Sequence, residues 1–229
     1  MGMSEMAARI AAIGVTEDAG CPATDEERAK LVSDLSPVDG LGWIGEGTEV
    51  LVYTLPFYAK ARLVVAADAS WKPTGVLACW LWLGGDFWRL DGRSAAIHDL
   101  NRKSGLVVED RVALPYMRFF CFFVRGEEGP FFVLDERSLP LLPEAGRDAL
   151  APLMVPPELL GRDREGALHA AAVLQYGKGA FAAHFRIQPT GMVEMLDDDP
   201  LDTGTLPDID APLSLDGPHP DRDDDEIPF

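Results

Sequence analysis

The side chains in this sequence that could carry acid–base or metal chemistry are four histidines and a run of carboxylates. The histidines lie far apart along the chain, at His98, His169, His184 and His219. No two of them have the short spacing of a metal-binding pair, and the sequence contains no Gly-x-Ser-x-Gly turn for a serine nucleophile. Asp197, Asp198 and Asp199 are consecutive, but carboxylates on a flexible chain stay hydrated. We therefore expect no catalytic site, no metal and no cofactor.

Three cysteines and one glycine-rich segment are weaker candidates for chemistry. Cys21, Cys79 and Cys121 lack metal-ligand spacing and two of them lie in apolar runs, so we interpret them as small hydrophobic residues in a reducing compartment. Residues 40–47 have Gly-x-Gly-x-x-Gly spacing, which a dinucleotide-binding fold places between a strand and a following helix. Here the order is reversed, because a helix is predicted before the segment and a strand after it. We interpret it as a connector.

A group of tryptophan and arginine side chains could bind nucleic acid. Surfaces that bind single strands combine stacking aromatics with basic side chains. The candidates are Trp80, Trp82, Trp88, Arg89 and Arg93. All of them lie in or just after one predicted hairpin. The alternative interpretation is a second layer of core, since Trp80 and Trp82 share a strand face with Val76 and Ala78.

The end of the sequence has the features of a docking peptide. Phe229 would offer an apolar ring and a free carboxylate to a pocket with a basic rim. Pro228 restricts its own φ angle and biases Ile227 toward an extended conformation, which reduces the entropy lost on docking. The acidic residues before them would speed encounter with a basic surface. These residues are Asp223, Asp224, Asp225 and Glu226.

This tip, Asp-Asp-Asp-Glu-Ile-Pro-Phe, resembles the acidic tip of bacterial single-stranded-DNA-binding proteins over the last seven to nine residues. In that family the tip follows a disordered linker and recruits replication and repair enzymes, including a recombination mediator and a primosomal helicase. The resemblance implies that Phe229 enters an apolar pocket whose basic rim holds its carboxylate, with Ile227 and Pro228 beside it. Glu226 is a conservative departure from a mostly aspartate run. The alternative is an acidic tail that serves solubility alone.

The elements that would position these residues follow from periodicity and turn signals. Helical spacing from Ser4 to Ile13, and a Thr24–Glu27 capping box ahead of a helix over 25–35, predict a helical N-terminal region at about 4–35. Strands are predicted over 49–54, 60–67 and 75–83, with 87–90 folded back as a hairpin partner. A short helix is predicted over 95–103. The apolar block over 116–124 could be a buried helix or a buried strand, and its many aromatics and the preceding Pro115 favour a helix.

The second half of the sequence predicts loops followed by an antiparallel meander of strands. Residues 138–164 are rich in proline and leucine and predict loops with one short helix near 146–154. Turns at Gly177–Gly179 and Pro189–Gly191 separate strands predicted over 168–176, 181–187 and 192–196. The predicted fold is α+β, with an antiparallel sheet or partly open barrel and a few helices. It forms one folded domain over 1–196, and residues 197–229 form a disordered acidic tail.

Charge and composition restrict the function. The net charge is −18, of which residues 197–229 carry −11, so the rest of the chain is also acidic. A net acidic body argues against strong non-specific binding to duplex DNA or anionic lipid. No apolar stretch approaches the roughly eighteen residues of a membrane span, and no secretory signal opens the sequence, so we expect a cytoplasmic protein.

Together these patterns predict a DNA-metabolism accessory protein that binds single-stranded DNA and recruits replication or repair proteins through its tip. Its partners would carry a basic, hydrophobic pocket. A second interpretation is an adaptor that touches no nucleic acid and binds proteins only. A third is an enzyme whose site the sequence does not reveal.

Overall fold

A computed structural model describes residues 2–16, 20–39, 45, 47–71, 76–142, 144 and 147–207. Over these residues the chain forms two open antiparallel five-stranded sheets and a two-stranded ribbon, with helices packed against them. The predicted α+β class is therefore confirmed, with open sheets in place of a barrel. The predicted docking tip, Asp223 to Phe229, lies outside the described residues. No helix among the described residues is long and apolar enough to cross a membrane.

The first sheet contains five strands in sequence order and three helices lie around it. The strands are β1 (Cys21–Pro22), β2 (Glu49–Thr54), β3 (Arg62–Ala67), β4 (Ala78–Leu83) and β5 (Asp86–Arg89). The helices are α1 (Met3–Ile13), α2 (Asp25–Asp39) and α3 (Ala95–Ser104). Each predicted element of this half is present, with its bounds shifted by up to four residues.

The second sheet is built from the C-terminal meander. The segment before the meander contains the helices α4 (Asp110–Phe123) and α5 (Arg147–Leu150) and two 3₁₀ helices (Glu136–Leu141, Ala151–Leu153). It also contains the short strands β6 (Arg125–Gly126) and β7 (Gly129–Pro130), which form the ribbon, and β8 (Phe132–Val133), which joins the second sheet. The meander strands are β9 (Glu158–Arg162), β10 (Leu168–Tyr176), β11 (Gly179–Ile187) and β12 (Val193–Leu201). The order across the sheet is β12-β11-β10-β8, and β9 also pairs with β10.

Local sequence signals account for several element ends. Thr24 and Glu27 form the predicted capping box, since the Glu27 amide donates to the Thr24 hydroxyl at 3.2 Å and the Thr24 amide donates to the Glu27 carboxylate at 2.9 Å. The aromatic helix α4 begins at Asp110, six residues before the predicted start. Pro115 was expected to precede this helix but lies in its second turn, where the ring removes one backbone donor without ending the helix.

Helix α4 lies at the centre of the main hydrophobic core. One continuous cluster of buried residues contains side chains of both five-stranded sheets together with Tyr116, Phe119 and Phe123 of α4. A second, smaller cluster lies on the other face of the first sheet, where Leu31 and Leu35 of α2 cover it. The first sheet is therefore buried on both faces over much of its area.

A buried chain of hydrogen bonds connects the two halves of the protein. The Tyr58 hydroxyl donates to Asn101 Oδ1 at 2.5 Å, and Asn101 Nδ2 donates to the Tyr116 hydroxyl at 2.7 Å. The Tyr116 hydroxyl donates in turn to the carbonyl oxygen of Gly191 at 2.7 Å. The chain thus runs from the β2–β3 connection through α3 and α4 to the β11–β12 turn.

The ordered chain extends past the predicted boundary at Leu196. β12 continues to Leu201, and the Leu206 amide then donates to the carbonyl oxygen of Lys178 at 2.9 Å. Leu206 is buried, and Gln175 Nε2 donates to the carbonyl oxygen of Pro207 at 2.7 Å. The acidic residues Asp197 to Asp199 are exposed in β12, so their charge is compatible with a strand. The prediction of a disordered tail beginning at residue 197 is therefore wrong for residues 197–207.

We predict that Tyr116→Phe lowers the free energy of unfolding by about 1–3 kcal/mol, because it removes the donor to Gly191 and leaves buried polar groups unpaired. Urea denaturation followed by circular dichroism would measure it. Tyr176→Phe is the control, since the Tyr176 hydroxyl accepts one bond from Glu128 at the exposed β6–β7 turn. Equal losses of unfolding free energy in the two variants would contradict a special role for the buried hydrogen bonds.

Candidate functional site

Strand pairing in the β4–β5 hairpin determines on which face of the sheet the predicted nucleic-acid-binding residues lie. In an antiparallel pair, residues directly opposite each other lie on one face of the sheet. Trp82 is opposite Phe87 on β5 and opposite Arg62 on β3. Arg89 is opposite Trp80. The face of the first sheet that α2 partly covers therefore carries Trp80, Trp82, Phe87, Arg62 and Arg89.

Trp82, Phe87, Arg62 and Arg89 form what we call the aromatic–basic patch. The rings of Trp82 and Phe87 lie parallel with their centroids 5.9 Å apart. All four side chains are partly exposed, and the indole N–H of Trp82 is buried without a hydrogen-bond acceptor. Arg62 is opposite Trp82, whereas Arg89 lies two residues from Phe87 on β5 and its Nη2 atom is buried. Two aromatic rings with basic side chains beside them give a small surface suited to base stacking and phosphate contact. Phe87 and Arg62 were not singled out from the sequence, although the two-residue Gly84–Gly85 turn already places Phe87 opposite Trp82.

Trp80 cannot take part in such a surface. It is fully buried, together with Leu31 and Leu35 of α2, in the second hydrophobic cluster. No face of its ring is available to a base. The assignment of Trp80 as a nucleic-acid contact is corrected to a core residue, because α2 packs over the half of the strand face that it occupies.

Trp88 and Arg93 lie elsewhere. Trp88 is opposite Leu81, so its ring points to the main-core face of the sheet, where the Lys103 ammonium lies 5.2 Å from the ring centroid. Arg93 is exposed in the loop after β5 and lies 3.8 Å from the Asp91 carboxylate. The structure therefore brings Trp82 and Arg89 together and separates Trp88 and Arg93 from them.

A second group of functional side chains lies on the outer face of the second sheet. His169 Nδ1 and His184 Nε2 are 2.9 Å apart, and His169 Nε2 lies 3.4 Å from Asp163 Oδ2. The two histidines are fifteen residues apart, a spacing that does not indicate a pair in the sequence. The signal that would have paired them is the Gly177–Lys178 turn. It sets the β10–β11 register so that Ala171 is opposite His184 and His169 is opposite Arg186.

Arg186 and Asp163 anchor this histidine pair. Arg186 Nε donates to Asp163 at 2.9 Å, and its Nη atoms donate to Glu165 at 2.5 Å and to Glu194 at 3.3 Å. The hydrogen bond from Arg186 is the main cause that lowers the pKa of the Asp163 carboxyl to about 2, with backbone amides of Ala167 and Glu165 adding to it. Asp163 therefore stays a carboxylate acceptor over the working range of pH.

An acidic groove of about 310 Å³ adjoins the histidine pair. Its floor is apolar and comprises Ala171, Val173 and Ala182, and its polar lining comprises Glu158, His184, Asp197 and Asp199. No basic side chain among the described residues pairs with these three carboxylates within 4.0 Å. The groove is therefore suited to a cationic occupant, and its charge disfavours nucleic acid.

The chemistry of these groups is limited. A hydrogen bond between two imidazoles requires one neutral ring nitrogen as acceptor, so the pair can hold and pass a proton. No hydroxyl or thiol nucleophile contacts either ring among the described residues, and no group of three metal-ligating side chains is found there. Comparison with known proteins finds no family model, no curated protein and no solved structure that matches the chain.

We predict that Asp163→Asn lowers the thermal midpoint at neutral pH and that the difference from the wild-type protein shrinks as pH falls. The folded-state pKa of about 2 lies below the unfolded value of about 4, so the contribution of Asp163 to stability is complete above pH 4. It is lost as pH falls from about 4 to about 2. Differential scanning calorimetry at several pH values would show it.

Glu165→Gln is the matched control, because Glu165 contacts the same guanidinium while its side chain is 80% exposed. Its effect should be smaller, since an exposed ion pair contributes little. A difference between wild type and Asp163→Asn that does not change between pH 7 and pH 2 would contradict the assignment.

Proposed function

We propose that this protein is a DNA-metabolism accessory protein that contacts single-stranded DNA through the aromatic–basic patch and recruits replication or repair proteins through its C-terminal tip. The observation that carries the proposal is the tip sequence, which combines a terminal Phe229, a preceding Ile-Pro pair and four acidic residues. Such a peptide suits a pocket with an apolar floor and a basic rim.

The geometry of the body supports a small contact with DNA. Stacking of a base on an aromatic ring contributes about 1–3 kcal/mol, and the patch offers two rings on neighbouring strands. Arg62 is opposite Trp82, and Arg89 lies two residues from Phe87 on β5, so each could contact a phosphate. A footprint of this size predicts modest affinity, and two phosphate contacts predict a slope of about −1.4 for the logarithm of the binding constant against the logarithm of the salt concentration.

A protein–protein adaptor is the second candidate, and the second sheet favours it. β12 is an edge strand with Met195 and Leu196 exposed, next to the acidic groove. An exposed strand edge can pair with an extended peptide, and the groove carboxylates would select a basic one. On this interpretation the patch residues only stabilise the fold.

We predict that the wild-type protein binds a labelled single-stranded oligonucleotide at low salt and that Arg62→Gln and Trp82→Leu weaken this binding. Loss of one stacking ring should weaken it about five- to 100-fold, and loss of one phosphate contact should reduce the salt slope by about 0.7. Fluorescence anisotropy at two or more salt concentrations would measure both effects. A chain ending at Pro207 removes the tip without cutting β12.

Arg102→Gln is the control for charge alone. Arg102 lies on α3, whose Lys103 contacts the opposite face of the sheet, and its side chain is 73% exposed. Equal weakening by Arg102→Gln would mean that binding follows net charge and not the patch. Failure of the wild-type protein and the Pro207 chain to bind would exclude the DNA contact and leave the adaptor.

We predict that Phe229→Ala weakens binding to a primosomal helicase or recombination mediator by about ten-fold or more, because it removes the ring that would fill the apolar pocket while the terminal carboxylate stays. Isothermal titration calorimetry would measure the change. Leu215→Ala, an apolar change in the same acid-rich segment before the tip, should have no effect. Equal binding by wild type and Phe229→Ala would exclude tip docking to that partner.

A further inference from the structure

The acidic groove crosses the two central strands of the second sheet on its outer face. Ala171 and Val173 of β10 and Ala182 of β11 form its floor, and Val173 is directly opposite Ala182. Because these side chains are small, they leave a depression of about 310 Å³ between the longer side chains on neighbouring strands. A depression of this size accepts a small organic molecule, and its floor is suited to an aliphatic one.

Carboxylates lie on both sides of the floor. Glu158 of β9 is opposite Ala171. Asp199 of β12 is opposite Ala182, and Asp197 lies two residues before it and also lines the groove. At this level β9 and β12 flank the central pair β10 and β11. The groove therefore has one carboxylate along one side and two along the other, with the apolar floor between them.

The protein supplies no cation to these carboxylates. The lining contains no lysine or arginine among the described residues. No ion pair within 4.0 Å joins Glu158, Asp197 or Asp199 to a basic side chain in that part of the chain. Like charges that face one groove repel each other, and a cation that enters from solvent relieves this repulsion.

The separation of the carboxylates restricts the shape of the cation. Within the described residues, no three metal-ligating side chains are placed to hold one ion. β9 and β12 are three strand spacings apart, which is about 14 Å. A hydrogen bond of about 2.8 Å at each end leaves about 8 Å between two donor nitrogens. The groove is therefore matched to two positive charges at the ends of an apolar chain.

We propose that the acidic groove is a binding site for a linear aliphatic polyamine, of which a diamine is the smallest example. One ammonium group donates to Glu158 and the other to Asp197 or Asp199, while the methylene chain lies over the apolar floor. A lysine side chain carries one charge and would use only one side of the groove. The site is separate from the aromatic–basic patch and the C-terminal tip, and it does not depend on the proposed role in DNA metabolism.

The test uses cadaverine as the probe and the full-length ¹⁵N-labelled protein at low salt. Cadaverine should shift the amide resonances of Ala171 and Ala182, with a dissociation constant on the order of 1 mM. Pentylamine has the same carbon chain with one charge and should bind about two- to five-fold more weakly, as expected for the loss of one exposed ion pair. Mg²⁺, a compact dication, should not shift these two resonances.

Glu158→Gln tests whether the ligand is held at both ends. This variant removes the carboxylate on one side, so the advantage of cadaverine over pentylamine should disappear. Glu26→Gln is the matched control, because Glu26 is exposed on α2, which packs on the first sheet. The control has the same net charge as Glu158→Gln and should keep the advantage of cadaverine.

Ala182→Leu tests the shape of the groove without changing its charge. Ala182 is exposed in β11, so a leucine there should leave the thermal midpoint unchanged. Its side chain would fill the depression and displace the methylene chain from the floor. Cadaverine binding, followed at the Ala171 amide, should therefore weaken about ten-fold or more.

Three results would overturn the proposal. One is the absence of shifts at Ala171 and Ala182 with cadaverine up to about 20 mM. Another is an advantage of cadaverine over pentylamine that is the same in Glu158→Gln as in the wild type, which would mean that binding follows net charge. The third is unchanged cadaverine binding in Ala182→Leu.

Discussion

The hydrogen bonds that run from Tyr58 through Asn101 and Tyr116 to Gly191 hold together elements that are distant in sequence. Asn101 is buried, and its amide orientation is determined because Oδ1 accepts from one tyrosine while Nδ2 donates to the other. Burial raises the pKa of both tyrosine hydroxyls, so both remain protonated donors. The direction of the chain of bonds is therefore constant with pH. The chain of bonds joins the first sheet, α3, α4 and the meander within the hydrophobic core that they share.

The same chain of bonds restricts the residue at position 191. Gly191 has a φ of +84°, and a Cβ there would lie 2.4 Å from Asn101 Nδ2 and 2.5 Å from the Tyr116 hydroxyl. Only glycine combines that backbone conformation with that close approach. The Pro-Thr-Gly turn, recognised from the sequence as a simple connection between strands, is also one of the places where the second sheet is joined to α4.

Local signals in the sequence predicted most helices and strands of the first half, but they did not predict how these elements pack against one another. The Thr24–Glu27 cap, the Gly84–Gly85 turn and the period of two in β2 to β4 depend on neighbouring residues, and the structure contains all three. The burial of Trp80 depends on where α2 packs, which no spacing within β4 encodes. β9 was missed for a related reason, because Glu158–Arg162 pairs with β10 while exposing most of its side chains.

The distribution of the candidate residues follows from the geometry of a hairpin. Successive residues along a strand point to opposite faces, so the neighbours Trp88 and Arg89 cannot lie on one surface. The structure keeps Trp82 and Arg89 on one face and turns Trp88 toward the core. The histidines show the reverse case. His169 and His184 look unrelated in the sequence, yet a two-residue turn brings their rings into contact.

The acidic run Asp197 to Asp199 lies in β12, the edge strand of the second sheet among the described residues, and Pro200 follows it. A bare strand edge invites a second copy of the same edge to pair with it, and this is how sheet proteins begin to aggregate. Two such edges would bring three carboxylates of each chain together at close range, and Pro200 has no amide hydrogen to donate. Asp197 and Asp199, which line the groove, therefore also oppose the pairing of one copy's sheet edge with another's.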